Sequence, residues 1–182
     1  KPAMKQSFTY LALNKPAGFV TTRSDERGRK TVYDLLSPDK QLLFPVGRLD
    51  KESSGLLLFT NDTQFGEMIT SPQSKLSKRY AVVLNEALRK EHAQIMRAGM
   101  KLDDGTAVMP AEDLIQSSDP AHCEVTIREG KNRQIRRMFE TLGYEVVGLK
   151  RLSIGSVELG KLREGQTRVL TNEELEELVR VK

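Results

Sequence analysis

Three short stretches carry side chains that could do chemistry. Gly47-Arg48-Leu49-Asp50 puts one carboxylate on a polar connection, Gly47 to Gly55, between two apolar runs, Leu42 to Val46 and Leu56 to Thr60. Paired buried strands presenting a charged loop are a common way to position a catalytic group. The four residues by themselves equally describe a solvated turn with Lys51 and Glu52. Lys78-Arg79-Tyr80 opens a further β-like run, Tyr80 to Leu84. Alternation places Lys78, Tyr80 and Val82 on one face and Arg79 and Ala81 on the other. A tyrosine beside a lysine could stack a base and offer a hydroxyl, though such a tyrosine is commonly core filler with a polar tip.

The third stretch runs from Glu129-Gly130-Lys131-Asn132-Arg133 through Gln134-Ile135-Arg136-Arg137-Met138-Phe139. Ile135, Met138, Phe139 and Leu142 fall at i, i+3, i+4 and i+7, a core-facing helical stripe. At about 100° per residue, Arg133 and Arg137 lie nearly opposite that stripe and Arg136 on its flank. That geometry assigns Arg133 and Arg137 to solvent and phosphate, and Arg136 to a partly buried carboxylate. The plain alternative is a solvated basic helix face.

The elements that must hold these stretches read as strands interspersed with helices. Strands are expected at Phe8 to Leu13, Leu42 to Val46, Leu56 to Thr60, Tyr80 to Leu84, Cys123 to Ile127, Tyr144 to Leu149 and Arg168 to Leu170. Pro16-Ala17-Gly18 closes the first, and Thr22 to Lys30 is the most loop-like segment. Helices are expected at Thr31 to Leu36, Gly66 to Thr70, Glu86 to Ala98 with Gly99 as C-cap, Asn132 to Leu142, and from Asn172 onward. Asp103-Asp104-Gly105 between short apolar runs signals a hairpin turn; a calcium loop would need further alternating acids and a distal glutamate. Without strict βαβ alternation, the pattern favours an α+β sheet domain.

Composition narrows the function. The chain has 182 residues, 38% hydrophobic and 30% charged, enough for one sizeable core. No apolar stretch approaches the roughly 20 residues of a membrane span, and residues 1–6 lack a signal-peptide core. One cysteine, Cys123, excludes an internal disulfide, and His92 and His122 add little for a metal. A cytoplasmic, metal-free protein without membrane attachment is expected. The net charge is +4 and the pI about 9.2. Its distribution says more: Arg128, Lys131, Arg133, Arg136 and Arg137 face one acid, Glu129, while residues 172–177 are acidic. Such asymmetry points to a polyanionic partner on one face.

Taken together and in order, these stretches resemble the RsuA/RluB/RluE/RluF family of pseudouridine synthases, which modify ribosomal RNA. The resemblance starts at Leu13-Asn14-Lys15-Pro16 with Gly18. It continues through Gly47 to Asp50, Gly55-Leu56-Leu57, Thr60-Asn61-Asp62 and Lys78-Arg79-Tyr80, and ends with Glu129 to Met138. It implies the pseudouridine synthase fold, a mostly antiparallel or mixed central sheet with flanking helices and a central catalytic cleft. It also implies Asp50 as catalytic carboxylate, Tyr80 packed on the target uracil, and Arg136 paired with Asp50. Arg48, Lys78, Ile135, Lys15, Lys131, Asn132, Arg133 and Arg137 become candidate substrate and RNA contacts, with Lys150 and Arg151 as exposed phosphate grips. The expected organisation is a tail over residues 1–7 and a catalytic domain over 8–182, without the small N-terminal S4-type domain of many relatives. The expected partner is ribosomal RNA, favouring the large subunit, for a monomeric enzyme. No cofactor is expected, because the isomerisation moves no hydride, phosphoryl group or electron.

Asp50 could act as nucleophile toward C1′ or the base, or as a base at C2′. Two other functions fit parts of the pattern. A non-catalytic RNA-binding module explains the basic helix but gives Asp50 no purpose among cations. A glycosidase wants two carboxylates flanking the bond, and only Glu52 is available as the second.

Overall fold

The computed structural model describes residues 7–180, so residues 1–6 of the expected tail lie outside the described residues. In chain order the elements are β1 (Tyr10–Lys15), two 3-10 turns (Val32–Leu35 and Pro38–Lys40), β2 (Phe44–Val46), β3 (Ser54–Thr60), α1 (Thr63–Thr70), β4 (Lys78–Leu84), α2 (Lys90–Ala98), β5 (Met100–Lys101), β6 (Ala107–Val108), β7 (Asp113–Gln116), β8 (His122–Ile127), α3 (Gln134–Thr141), β9 (Val146–Ile154), β10 (Val157–Glu158), β11 (Thr167–Val169) and α4 (Asn172–Arg180). This is the expected α+β architecture: a nine-stranded mixed sheet with flanking helices.

The sheet runs β11-β1-β3-β9-β4-β8-β7, with β2 added on β3 and β10 on β9. Every pairing in it is antiparallel except β3 with β9, which meet in parallel at Ser54–Lys150 and Gly55–Arg151. Strand β9 therefore joins two half-sheets. Gly55 makes that joint possible: a Cβ there would sit 2.2 Å from the Arg151 carbonyl oxygen, and its φ is +104°, a region other residues rarely adopt.

Alternation along β3 feeds two cores. Leu56 and Leu58 pack with Ile69 of α1 and Leu178 of α4, while Leu57 and Phe59 pack with Leu11, Leu13, Val32 and Tyr33 on the opposite face. A third core lies under β4 and β8, where Val82 and Val125 meet Met96 of α2 and Met138 and Phe139 of α3. The expected stripe of α3 is thus buried, and Cys123 is buried with it.

Several boundaries differ from expectation for identifiable reasons. The first strand is displaced to Tyr10–Lys15, and Phe8 is 47% exposed. Helix α1 starts earlier, because the Asp62 carboxylate accepts from the Phe65 amide as N-cap. Strand β9 continues through Ile154 where a stop was expected at Leu149; Lys150 and Arg151 break the apolar pattern yet pair with Ala81 and Tyr80. The short, charged edge strand β7 and the two-residue β10 carry too little apolar signal to be anticipated. The hairpin around Asp103 to Gly105 forms as expected between β5 and β6. Among the described residues, no helix is long and apolar enough to cross a membrane.

Candidate active site

The loop from Gly47 to Ser53 leaves β2 and enters β3, and its shape is imposed by atoms from outside it. Thr21 Oγ1 donates to the Leu49 carbonyl (2.8 Å) and accepts from the Leu49 amide (3.2 Å). The Gly18 amide donates to the Lys51 carbonyl (2.7 Å). Lys15 Nζ donates to the carbonyls of Ser53 (2.6 Å), Pro16 (3.0 Å) and Lys51 (3.3 Å). Lys15 is 0% exposed, which corrects its assignment as an RNA contact: it is the internal peg of the loop. Burial brings its ammonium down to about 8, against the opposing pull of the Asp50 and Glu52 charges.

The loop presents Asp50 at the rim of a cavity of about 600 Å³, a size that suits one nucleotide-scale ligand. Its walls are Gly47 to Asp50 on one side and Gly130 to Ile135 on the other; Lys78 and Tyr80 of β4 with Leu149 and Arg151 of β9 form the floor. Every candidate from the three chemical stretches lines the cleft except Arg136 and Arg137; Lys15, from outside those stretches, does not line it either. Lys78 and Tyr80 do share a face, with Tyr80 buried at 9% exposure. Ile135 is buried at the first turn of α3, and Asn132 is exposed in the loop before it.

The arginines are distributed differently from the helical wheel. Helix α3 begins at Gln134, and Arg133 stands before it at φ 52°, ψ 32°, the only positive-φ non-glycine among the described residues. A left-handed residue does not follow the wheel, so Arg133 does not point away from the cleft. Its Nη1 donates to Asp50 Oδ2 at 2.9 Å and lies 3.6 Å from Glu52 Oε2. Arg136 is buried, donates through Nη2 to Ser53 Oγ (3.0 Å), and brings Nε to 3.8 Å from Asp50 Oδ2. That Nε is a buried donor without a partner. Burial pushes the Arg136 guanidinium below its ordinary value, and the neighbouring Arg133 charge adds to this.

Outside the cleft, Arg137 is bound by Asp104 of the β5–β6 turn. Lys131 Nζ is engaged by Glu129 Oε2 (3.1 Å) and the Ala107 carbonyl (2.8 Å). Both cations are accessible but already partnered. Arg48 is exposed, with no side-chain hydrogen bond or ion pair among the described residues, where the main cavity meets two neighbouring grooves. Arg151, expected on the surface, is 6% exposed and faces the cavity; a charged residue inside a strand gave the wrong exposure. Sequence reasoning also missed Thr21 and Ser53, whose roles have no signal before the chain is folded. Glu52 is absent from the lining of the main cavity and meets Asp50 only in the neighbouring groove, beside Arg133. Among the described residues no three His, Cys, Asp or Glu side chains cluster as metal ligands.

Comparisons with known proteins bear on the family and the fold. Residues 9–141 match the family model described as RNA pseudouridylate synthase. A Bacillus subtilis protein named uncharacterized RNA pseudouridine synthase YtzG is 39% identical over 180 residues, covering 96% of this chain and 75% of that protein. The Bacillus subtilis ribosomal large subunit pseudouridine synthase B is 37% identical over 173 residues, covering 93% and 70%. A solved structure titled as a pseudouridylate synthase superposes with a TM-score of 0.87 at 36% identity, covering 96% of this chain and 75% of that one. With an aspartate, a tyrosine and an arginine-rich loop meeting around one cleft of a shared fold, the chain belongs to the RNA pseudouridylate synthase family.

Proposed function

We propose that this enzyme isomerises a uridine of ribosomal RNA, in the large subunit, with Asp50 as the catalytic carboxylate. The observation that carries the reading is Asp50 itself: one carboxylate on a braced loop at a cleft otherwise furnished with cations. The ribosomal target rests on similarity to the large-subunit enzyme. Residues 8–182 act as one catalytic domain, working as a monomer in the cytoplasm.

Isomerisation breaks the N1–C1′ bond, turns the base and joins C5 to C1′. Asp50 must be ionised to attack or to take a proton, and Arg133 and Arg136 favour that form. Tyr80, in the cavity lining, stacks on the uracil. A uridine in folded RNA must be extruded to reach this depth, at a cost of a few kcal/mol; exposed Arg48, Asn132 and Lys131 along the cleft, with Arg137 beyond it, hold the phosphates of the distorted strand.

Asp50→Asn keeps the shape and removes the charge. With a ribosomal RNA transcript, pseudouridine formation should disappear while RNA affinity persists or rises. Near-normal turnover of Asp50→Asn would sink the assignment.

A further inference from the structure

The floor of the cleft holds two cations that the reading above leaves without a task. Arg151 Nε donates to the Leu56 carbonyl at 2.8 Å, which pins the guanidinium, yet its Nη2 is buried without a partner. The residue is 6% exposed and lines the cavity. Lys78 lies nearby on the adjacent strand, one alternation step from Tyr80, which pairs with Arg151 across the β4–β9 ladder. Neither cation meets a carboxylate among the described residues, in contrast to Arg133 and Arg136, which both reach Asp50. Burial lowers the Lys78 ammonium from its ordinary value, and the Arg151 charge lowers it further. A buried and a half-buried cation without a carboxylate partner are costly in the empty protein, and a ligand that brings negative charge relieves both.

We propose that Lys78 and Arg151 stabilise the detached uracil as an anion, holding it in the cleft while it turns. This rests on the reading of Asp50 above. Whether Asp50 attacks C1′ or takes the C2′ proton, the N1–C1′ bond breaks with its electron pair moving onto the base. The resulting charge is shared by N1, O2, O4 and C5. C5 then gives an electron pair to C1′ to form the new bond, as the Asp50–C1′ bond breaks or as Asp50 returns the proton to C2′; C5 loses its proton and N1 regains one, so atoms and electrons balance without a co-reactant. Donors placed where charge develops act most strongly in a water-poor site. A phosphate of the target strand offers similar negative charge, but the exposed cations Arg48 and Arg133 occupy the rim where the backbone passes, whereas Arg151 is on the floor beside Tyr80.

The test exploits fluorine, which makes uracil a better anionic leaving group. Transcripts of large-subunit ribosomal RNA carrying uridine or 5-fluorouridine are given to excess wild-type, Lys78→Met and Arg151→Met enzyme. Consumption of the starting nucleoside is followed by mass spectrometry in a single turnover. Removing one stabilising donor should slow the uridine substrate about a hundredfold, while 5-fluorouridine should recover about tenfold of that loss, so the fluoro-to-uridine rate ratio rises in both variants. Damage that is merely structural slows both substrates equally and leaves the ratio at its wild-type value, which overturns the proposal. A phosphate-binding role also overturns it, and shows as weaker affinity with a shallower salt dependence at an unchanged ratio. Lys78→Met loses no backbone hydrogen bond, so its ratio decides the matter if Arg151→Met does not fold. Asp50→Asn run alongside separates the two readings: if it still consumes uridine, the Asp50 assignment fails independently of the floor.

Discussion

Arg133 and Arg136 both reach Asp50, and their burial decides which matters more. The Arg133 bond to Asp50 is short, at 2.9 Å, but the two side chains are 40% and 33% exposed. A half-solvated pair is worth about 1 kcal/mol or less, so Arg133→Ala should cost at most about tenfold in turnover, at 1.36 kcal/mol per factor of ten. The Arg136 side chain is 8% exposed. Its loss leaves Ser53 Oγ without its donor and Asp50 without the interior cation, and removing one partner of a buried pair costs about 3–5 kcal/mol. Arg136→Ala should therefore lower turnover by up to about 10² to nearly 10⁴-fold. The unpartnered Nε needs to close only from 3.8 Å to about the 2.9 Å of the Arg133 bond, and catalytic bonds commonly tighten when substrate binds. Arg136→Lys should recover little, because one ammonium cannot serve Ser53 and Asp50 from two separate nitrogens. The assay is single-turnover pseudouridine formation with RNA affinity measured in parallel; Arg133→Ala should weaken affinity and flatten its salt slope by about one unit. The argument from burial is refuted if Arg133→Ala costs turnover as much as Arg136→Ala, or if Arg136→Ala leaves turnover intact.

Two further outcomes follow from the packing. Lys15 titrates at about 8 in the folded protein against an ordinary 10.5, so between these values the unfolded chain binds more protons and Lys15 favours the fold increasingly as pH climbs from about 8 to 10.5. Urea melts of wild type and Lys15→Met across that window should show this rise in the wild type only, with the variant's catalytic loop loosened and its turnover reduced; parallel pH profiles would contradict the buried-peg role. Gly55→Ala drives a Cβ into the Arg151 carbonyl and asks alanine to hold φ +104°, so its thermal unfolding should reveal a loss of about 3 kcal/mol or more from overlap and strain together. A wild-type melting temperature in that variant would mean that the β3–β9 joint is not as tight as described.

What the sequence by itself determined is whatever depends on local period and on the order of residues. The stripe Ile135, Met138, Phe139 specified α3 and its buried side, because apolar side chains at helical spacing must share a face. Alternation at Lys78 and Tyr80 put both on one face of a strand, and the apolar runs around Asp50 marked a loop held between strands. These sufficed for the α+β class; the carboxylate at the cleft came from the order of the motifs and the family they resemble, since the Asp50 loop alone also reads as a solvated turn. The tertiary structure alone decided which cations meet that carboxylate. Arg133 turned inward because it adopts a left-handed conformation before the helix starts, an event that no helical wheel contains. Lys15 and Arg151 looked like surface charges, since nothing local announces that a neighbouring strand or loop will cover them. Lys15 is buried because two carbonyls of the Gly47 to Ser53 loop, with that of Pro16, converge on its ammonium, and Arg151 because Gly55 lets two half-sheets close over it. Burial of a charge is a property of what packs against it, and those partners lie far away in the sequence: from Lys15 the loop is 36 to 38 residues on, and from Arg151 the Leu56 carbonyl is 95 residues back.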